Sequence, residues 1–318
     1  MNENANPGAA RPGEADGKML PSAEVARLMR LATYASVATA AVLICVKLSA
    51  WLYTDSISLL STLIDSVLDA LASIINLLAV RHALMPADRE HRFGHGKAEP
   101  LAALGQATFI SGSALFLVFE AGHRLFTPTP LAHTGFGIGV MVFAIVATFL
   151  LTRFQAYVVR KTGSIAIQAD SLHYLGDLLV NASVIVALLL VSQMGWIWAD
   201  AIFGLGIAAY ILFNAWRIAR GAYDMLMDRE LPDEERQQIK EIVQAHPAVI
   251  GMHDLRTRAS GRDTFIQIHL ELDGEMTLLR SHEIADEVEA ELQAAFPGAE
   301  VIIHQDPHGV EEPVARFR

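Results

Sequence analysis

Two apolar stretches, ISLLSTLIDSVLDALASIINLLAV at residues 57–80 and SIAIQADSLHYLGDLLVNASVIVALLLV at residues 164–191, decide the fold of this chain. Each stretch is long enough to cross a bilayer as a helix, and each contains two ionisable residues one helical turn apart. The pairs are Asp65 with Asp69, and His173 with Asp177. An aspartate at the centre of a spanning helix costs about 3 kcal/mol on insertion scales, so such residues usually face the bundle interior and mark an ion pathway.

The whole chain has the composition of an integral membrane protein, with 53% hydrophobic and 19% charged residues among 318. Runs of about 20 apolar residues predict six spans, at 32–52, 57–80, 101–122, 136–155, 172–192 and 197–218. An even number of spans puts both termini on one side. Lys and Arg are concentrated in the loops on that side, whereas the opposite loops contain only Arg124. The positive-inside rule therefore predicts cytoplasmic N- and C-termini.

The sequence divides into four predicted parts. Residues 1–24 have the composition of a disordered tail, 25–225 of a six-helix transmembrane domain, 226–310 of a cytoplasmic domain and 311–318 of a short tail. In the cytoplasmic part, helical and alternating patterns follow one another in the order αββαβ, which predicts an α+β, ferredoxin-like domain with helices on one face of a sheet.

The net charge of −11 is concentrated in that second domain. Residues 1–227 contain 15 basic and 15 acidic residues, whereas residues 228–318 contain 9 basic and 20 acidic ones. An acidic domain excludes nucleic acid as a partner, because nucleic-acid binding needs a basic surface, and it suits a cationic ligand. The single cysteine, Cys45, lies in the first span and is predicted to be a packing residue.

The four intramembrane ionisable residues predict a divalent-metal site. A spacing of four places each pair on one helix face, so two facing helices would bring three carboxylates and one imidazole together. Such a donor set suits Zn²⁺ and tolerates Fe²⁺ or Cd²⁺. Metal binding requires these groups to be deprotonated, so metal and H⁺ would compete for one site, as in an antiporter. A proton relay or a polar contact between helices, without metal, is the alternative.

Two further groups of residues could bind metal. Asp88, His91 and His95 are closely spaced in PADREHRFGHGKAEP at 86–100, although an ordinary polar connection would also explain that loop. Five residues of the cytoplasmic domain form the other group: His253, His269, His282, His304 and Asp306. Exposed histidines are common, so spacing alone leaves that group open. Asp170 is predicted to be a juxtamembrane charge and His246 a partner of a helix end.

Several motifs occur together at characteristic separations: the two aspartates of the second span, HxxxD in the fifth, FGHGKAEPLAAL at 93–104, HDLRTRASG at 253–261 and VIIHQDP at 301–307. In this combination the chain closely resembles the cation diffusion facilitator family, of the bacterial ferrous-iron and zinc efflux type. The resemblance covers about residues 27–308.

The resemblance implies a homodimer in the inner membrane that exchanges cytoplasmic Zn²⁺, Fe²⁺ or Cd²⁺ for protons. It also implies three metal sites: a transport site at Asp65, Asp69, His173 and Asp177, a loop site at Asp88, His91 and His95, and a binuclear cytoplasmic site at His253, His269, His282, His304 and Asp306. A salt bridge between Lys97 and Asp228 would lock the membrane domains near the dimer interface.

Two other function classes remain open on sequence grounds. The chain could be a membrane-anchored metal sensor in which the cytoplasmic histidines bind metal, although an anchor has no use for four costly polar groups among its spans. It could also be a passive divalent-cation channel. Metal flux into proteoliposomes separates the sensor from a transporter, and transport driven uphill by a pH gradient separates the channel from an antiporter.

Overall fold

A computed structural model describes residues 14–15, 18–19, 22–54, 57–126, 135–194, 196 and 198–310. The chain forms two compact units, Met1–Tyr223 and Asp224–Arg318. Most of the predicted N-terminal tail and all of the C-terminal tail at 311–318 lie outside the described residues. Within the predicted tail at 1–24, the described parts are two short antiparallel strands, β1 (Glu14–Ala15) and β2 (Lys18–Met19), and the start of a long helix at Ser22.

Long helices make up most of the remaining described residues of the first unit, and each predicted span except the first two residues of the last falls within one of them. They are α1 (Ser22–Thr54), α2 (Ile57–Ala83), α3 (Ala98–Phe126), α4 (Gly135–Thr162), α5 (Ile165–Met194) and α6 (Ala199–Leu226), the last of which runs on into the second unit. Among the described residues, five helices are long and apolar enough to cross a membrane. The predicted span at 172–192 lies in α5, which is not one of those five and in which the side chains of 188, 191 and 192 are outside the described set.

Small residues allow these helices to approach closely. One buried cluster joins α3, α5 and α6 and is rich in alanine; its members include Ala103, Ala107, Ala169, Ala215 and Ala222. A second cluster joins α1, α2, α4 and α5 around Met29, Val80, Val158 and Ile167. Small side chains at helix contacts are typical of membrane bundles, where dispersion rather than the hydrophobic effect drives packing.

The second unit has the predicted αββαβ order. After α7 (Asp233–Ala245) come strands β3 (Gly251–Ser260) and β4 (Asp263–Leu272), then α8 (Leu278–Ala295) and strand β5 (Glu300–Pro307). The sheet order is β3-β4-β5, with β3 antiparallel and β5 parallel to the central strand. Thr277 caps α8, because its hydroxyl accepts a hydrogen bond from the Arg280 N–H.

Alternation along β4 separates the core from the opposite face of the sheet. Ile266, Ile268, Leu270 and Leu272 are all buried and pack against apolar residues of α7 and α8. The intervening polar residues, among them His269 and Glu271, lie on the other face. The predicted fold class, an all-α membrane domain followed by a small α+β domain, is confirmed.

Candidate functional site

Facing side chains of α2 and α5 form a compact group of metal-type donors in the first unit. Asp69, His173 and Asp177 each offer one ligand atom, and these atoms lie within 4.8 Å of one another. The His173 ring donates a hydrogen bond from Nε2 to Asp69 Oδ1 at 2.9 Å, and the same nitrogen lies 3.9 Å from Asp177 Oδ2. His173 is buried, with the Phe109 and Tyr174 rings against it. The group therefore combines one nitrogen and two carboxylates.

Asp65 lies apart from this group. It is exposed, one helical turn before Asp69, and it does not join the three-residue cluster in the part of the chain that the structure describes. It does interact electrostatically with Asp69. Of the four residues predicted for the transport site, the structure thus gathers three, and Asp65 remains a predicted fourth ligand.

Lys47 is a nearby charged residue that the sequence reasoning missed. Its Nζ donates hydrogen bonds to the Thr62 carbonyl at 3.0 Å and to Ser66 Oγ at 2.7 Å, so the α1 side chain is tied to α2. It interacts electrostatically with Asp69, Asp177 and Asp65. The signal was present in the sequence, because a lysine in the apolar run VLICVKLSAWL at 42–52 is as unusual as an aspartate there.

The interpretation of Asp170 as a juxtamembrane charge is wrong. Its side chain is buried and accepts three hydrogen bonds: from Ser36 Oγ at 2.6 Å, Gln106 Nε2 at 3.2 Å and Gln155 Nε2 at 2.7 Å. The donors come from α1, α3 and α4, whereas Asp170 itself is on α5. A buried carboxylate needs such partners, so this residue joins four helices one turn before His173.

The predicted loop site is also gathered between α2 and α3. Asp88 Oδ2 lies 3.3 Å from His95 Nε2, and Asp88 Oδ1 lies 3.5 Å from His91 Nδ1. The backbone N–H groups of His91 and Glu90 donate to Asp88 Oδ1, and the bond from His91 is the main reason that the pKa of this carboxyl is lowered. Gly94, at a φ of 78°, adopts the left-handed conformation that lets the loop turn between the two histidines.

His95 is buried, whereas the other two members of the loop site, Asp88 and His91, are exposed. Its side chain lies with the His82 ring at 4.5 Å between centroids and the His91 ring at 4.7 Å. Its Nδ1 is buried and has no hydrogen-bond partner among the described residues. The Asp88 carboxylate lies against the other ring nitrogen, Nε2, so Nε2 is the His95 atom placed to bind a cation together with Asp88.

In the second unit the strand register builds the cluster that the sequence predicts to be cytoplasmic, called here the cytoplasmic cluster. His253 of β3 pairs with His269 of β4, which in turn pairs with His304 of β5, so three imidazoles form one row across the sheet. Their ring centroids are 5.1 Å and 4.6 Å apart. Asp306, two residues beyond His304 and thus on the same face, is buried beneath the row.

The carboxylate of Asp306 connects these histidines. His269 Nδ1 donates to its Oδ2 at 2.8 Å, His253 Nε2 lies 3.4 Å from Oδ2 and His304 Nε2 lies 3.0 Å from Oδ1. The donor atoms of His253, His269 and Asp306 lie within 4.8 Å of one another. Three of the five predicted residues are therefore gathered at one point on the sheet, and His304 lies against the other oxygen of Asp306.

His282 is the fifth, and the structure does not bring it to the cluster. It lies on α8, largely exposed, with Nδ1 3.6 Å from Asp286 Oδ1. The predicted pair Lys97 and Asp228 is divided between the units, Lys97 just before α3 and Asp228 after α6. Asp228 lies 3.4 Å from the Arg258 guanidinium. Both His282 and this pair remain predictions.

Two histidines without an assigned metal role bind glutamates instead. His308 donates from Nδ1 to Glu271 Oε2 at 3.0 Å, and this hydrogen bond, supported by one from His253, lowers the pKa of Glu271. His246 lies at the end of α7, as predicted, but its partner is on α8. Its Nδ1 accepts from the Ala248 N–H, so Nε2 donates to Glu287 at 2.9 Å and lowers the pKa of that glutamate.

Comparisons with known proteins cover both units. Residues 33–227, more than half of the chain, match the family model described as the cation efflux transmembrane domain. Residues 231–308 match the model described as the cytoplasmic domain of cation efflux proteins.

Individual relatives extend over nearly the whole chain. It is 52% identical over 284 residues to the cation-efflux pump FieF of Salmonella choleraesuis (strain SC-B67), covering 89% of this chain and 94% of the relative. The FieF of Salmonella newport (strain SL254) gives the same values. A solved structure described as the metal-bound C-terminal domain of the CzcD transporter from Thermotoga maritima is 28% identical. It covers 26% of this chain and 100% of that one, with a TM-score of 0.24.

Proposed function

This chain belongs to the cation efflux family and is a multi-pass membrane transporter of cations, and we propose that it exports divalent metal ions in exchange for protons. Zn²⁺ is the proposed main substrate, with Fe²⁺ and Cd²⁺ as alternatives. The observation that carries this proposal is the group formed by Asp69, His173 and Asp177, with one nitrogen and two carboxylates within 4.8 Å on two membrane helices. Mixed nitrogen and oxygen donors favour zinc over harder ions such as Mg²⁺.

Competition at these donors supports coupling to protons. Carboxylate and imidazole groups bind a metal ion only when deprotonated, so protons arriving from the acidic side displace the metal. His173 Nε2 and Asp69 Oδ1 lie 2.9 Å apart, so the two atoms proposed to bind the metal can also share a proton, which supports competition between the two. Asp65, one turn from Asp69, is the proposed fourth ligand.

Export further requires the site to open alternately to each side of the membrane. We propose that the helices rock around the site, with metal bound from the cytoplasm and protons bound from outside. Metal and protons must bind the two states with different affinities, because a ligand with equal affinity for both states shifts neither. The concentration of Lys and Arg on one side supports an inner-membrane protein with both termini in the cytoplasm.

The second unit is proposed to be a metal-stabilised dimerisation domain. The row of His253, His269 and His304 above Asp306 offers a nitrogen-rich set of donors on a rigid sheet, which suits zinc held as a structural ion. His282 is the proposed fifth ligand. The loop group of Asp88, His91 and His95 is proposed as a further metal site of the membrane unit, and the pairing of Lys97 with Asp228 as a contact near the dimer interface.

Proteoliposome uptake tests the proposal. The purified protein is reconstituted and the initial rates of Zn²⁺, Fe²⁺ and Cd²⁺ uptake are measured for the unmodified protein, for Asp177→Ala and for Asp233→Ala. Asp233 is an exposed aspartate of α7 and serves as the matched control. The proposal expects uptake of at least one metal by the unmodified protein and the control but none by Asp177→Ala. Zinc binding without uptake would instead favour the membrane-anchored sensor.

A further inference from the structure

Lys47 is an ionisable residue among the membrane helices that the proposed exchange does not use. It lies on α1, and its Nζ reaches across to α2, where it donates to the Thr62 carbonyl and to Ser66 Oγ. Ser66 is buried and follows Asp65 directly in the chain. The ammonium group is thus fixed beside the segment of α2 that supplies both aspartates of the transport site.

The electrostatic surroundings of Lys47 are made of the same acidic residues. Its ammonium group interacts with Asp69, Asp177 and Asp65. Removing such a charge from water is unfavourable, and here two hydrogen bonds and the attraction of three carboxylates oppose that cost. A protonated amine has no lone pair to offer a metal, so Lys47 contributes charge to the site without contributing a ligand.

The charge of Lys47 changes the net charge of the transport site. Three carboxylates and one ammonium carry a net charge of −2 around a neutral imidazole, and one divalent cation neutralises that charge completely. Without Lys47 the same donors would carry −3 and would bind any cation more tightly, including at the step where export requires release. A transported ion must bind well enough to enter and weakly enough to leave.

We propose that Lys47 is a charge-setting residue of the transport site: its fixed positive charge matches the site to one divalent ion and weakens binding enough to permit release. This inference rests on the proposed function. The alternative is a purely structural role in which Lys47 only ties α1 to α2 through its two hydrogen bonds.

Four single variants separate charge from hydrogen bonding. Lys47→Gln removes the charge and retains a donor, Lys47→Met removes both, Lys47→Arg retains the charge, and Ser66→Ala removes one hydrogen bond while the ammonium stays. All are made in a background carrying Asp88→Ala and Asp306→Ala, so that the loop and cytoplasmic clusters do not obscure the measurement. Zn²⁺ affinity is measured by calorimetry in nanodiscs, and uptake is measured in proteoliposomes.

The proposal expects Lys47→Gln and Lys47→Met to lower the Kd for Zn²⁺ by about tenfold or more, because a repulsive unit charge near a divalent ion is removed at low dielectric. Both variants should also turn over more slowly, since release is slower. Lys47→Arg and Ser66→Ala should keep a Kd close to that of the background protein. This pattern cannot arise from a structural role, which would weaken binding in the variants that lose hydrogen bonds.

An unchanged or raised Kd in Lys47→Gln overturns the inference, as does a Kd that falls equally in Ser66→Ala. If Lys47→Gln does not fold, Lys47→Met gives the same comparison of charge, and thermal unfolding in detergent identifies which variants are intact. Failure of the proposed function is recognised separately: the protein with an unmodified Lys47 would then show no metal uptake at all, whereas failure of this inference leaves that uptake in place.

Discussion

The donors in the membrane unit and those in the second unit are held by different scaffolds. Asp69, His173 and Asp177 lie on two helices and offer one nitrogen. The ammonium group of Lys47 interacts electrostatically with the two aspartates. The cytoplasmic row lies on three hydrogen-bonded strands, offers three imidazoles and is fixed by the buried Asp306. Helices can move apart as a site opens, but a strand register cannot change without breaking the sheet. The helical scaffold therefore suits a transported ion, and the sheet suits a resident one.

The largest expected effect follows from removing a donor of the membrane cluster. Asp69→Ala or Asp177→Ala should reduce zinc uptake to background, because each removes one of few ligands, while the protein folds and dimerises as before. The measurement is initial uptake in proteoliposomes, with Asp233→Ala as the control. Zinc transport at the unmodified rate by either variant would show that the membrane cluster does not bind the transported ion.

Replacing Asp170 tests how strongly its hydrogen bonds hold the helices of the membrane unit together. Asp170→Ala leaves Ser36, Gln106 and Gln155 as buried donors without their acceptor, which should destabilise the folded membrane unit by about 2–5 kcal/mol. Thermal unfolding in detergent measures the loss. Asn214→Ala, which removes only a bond within its own helix, is the control and should change stability little.

The cytoplasmic cluster should behave in the opposite way to the membrane cluster. Asp306→Ala is expected to lower metal content per protomer and loosen the dimer, but to reduce transport only partly. An ion bound only by the assembled domains stabilises them by about 2.7 kcal/mol at a hundredfold excess over its Kd. The zinc-dependent rise in Tm of the full-length protein should therefore shrink in this variant. An equal rise in both proteins would show that the row does not bind the stabilising ion.

A change of metal preference tests whether the imidazole nitrogen of His173 is a ligand of the transported ion. His173→Asp should weaken the preference for Zn²⁺ over Mn²⁺, because an oxygen replaces the imidazole donor of the membrane cluster. Competition between the two ions in an uptake assay measures the ratio. His269→Asp, made in the cytoplasmic row, should leave that transport ratio unchanged. If the ratio is unaltered in His173→Asp, the imidazole is not a ligand of the transported ion.

The smallest effect concerns pH and lies outside both clusters. The hydrogen bond from His246 lowers the pKa of Glu287, so the ionised carboxylate is favoured in the folded state. A depressed folded pKa contributes stability above the unfolded value, about 4.3, and that stability is lost as the pH falls through the folded pKa. His246→Ala should thus lower the Tm slightly near neutral pH and less at about pH 3. A difference that grows on acidification would contradict the assignment.

The amphipathic patterns were sufficient to predict the elements and to place one pair of candidate ligands on a single helix face. Alternation along β4 identified Ile266, Ile268 and Leu270 as core residues, because burial of one sheet face leaves a period of two. A spacing of four brought His173 and Asp177 to one helix face. Both inferences concern residues close together in the sequence, and the geometry of a single strand or helix determines which face such residues share.

What could not be predicted depends on which helix faces meet and how strands align. Nothing in the spacing indicates that Lys47 reaches α2 or that Asp170 lies among three donor helices, since both follow from the packing of distant segments. The row of histidines also requires the strand irregularity between His253 and Arg256, which sets the register of β3 against β4. The spacing placed Asp65 on the same helix face as Asp69, so it could not predict that Asp65 is exposed.

The central claim, exchange of metal for protons at the membrane cluster, is tested most directly by zinc accumulation in proteoliposomes with an acidic lumen. Lumenal Zn²⁺ should rise above its external concentration while the pH gradient lasts, and should return towards equality when an ionophore collapses the gradient. Asp177→Ala vesicles should show neither change. Zinc entry that stops at equal concentrations, at the same rate with and without the gradient, would rule out exchange for protons and identify a passive channel.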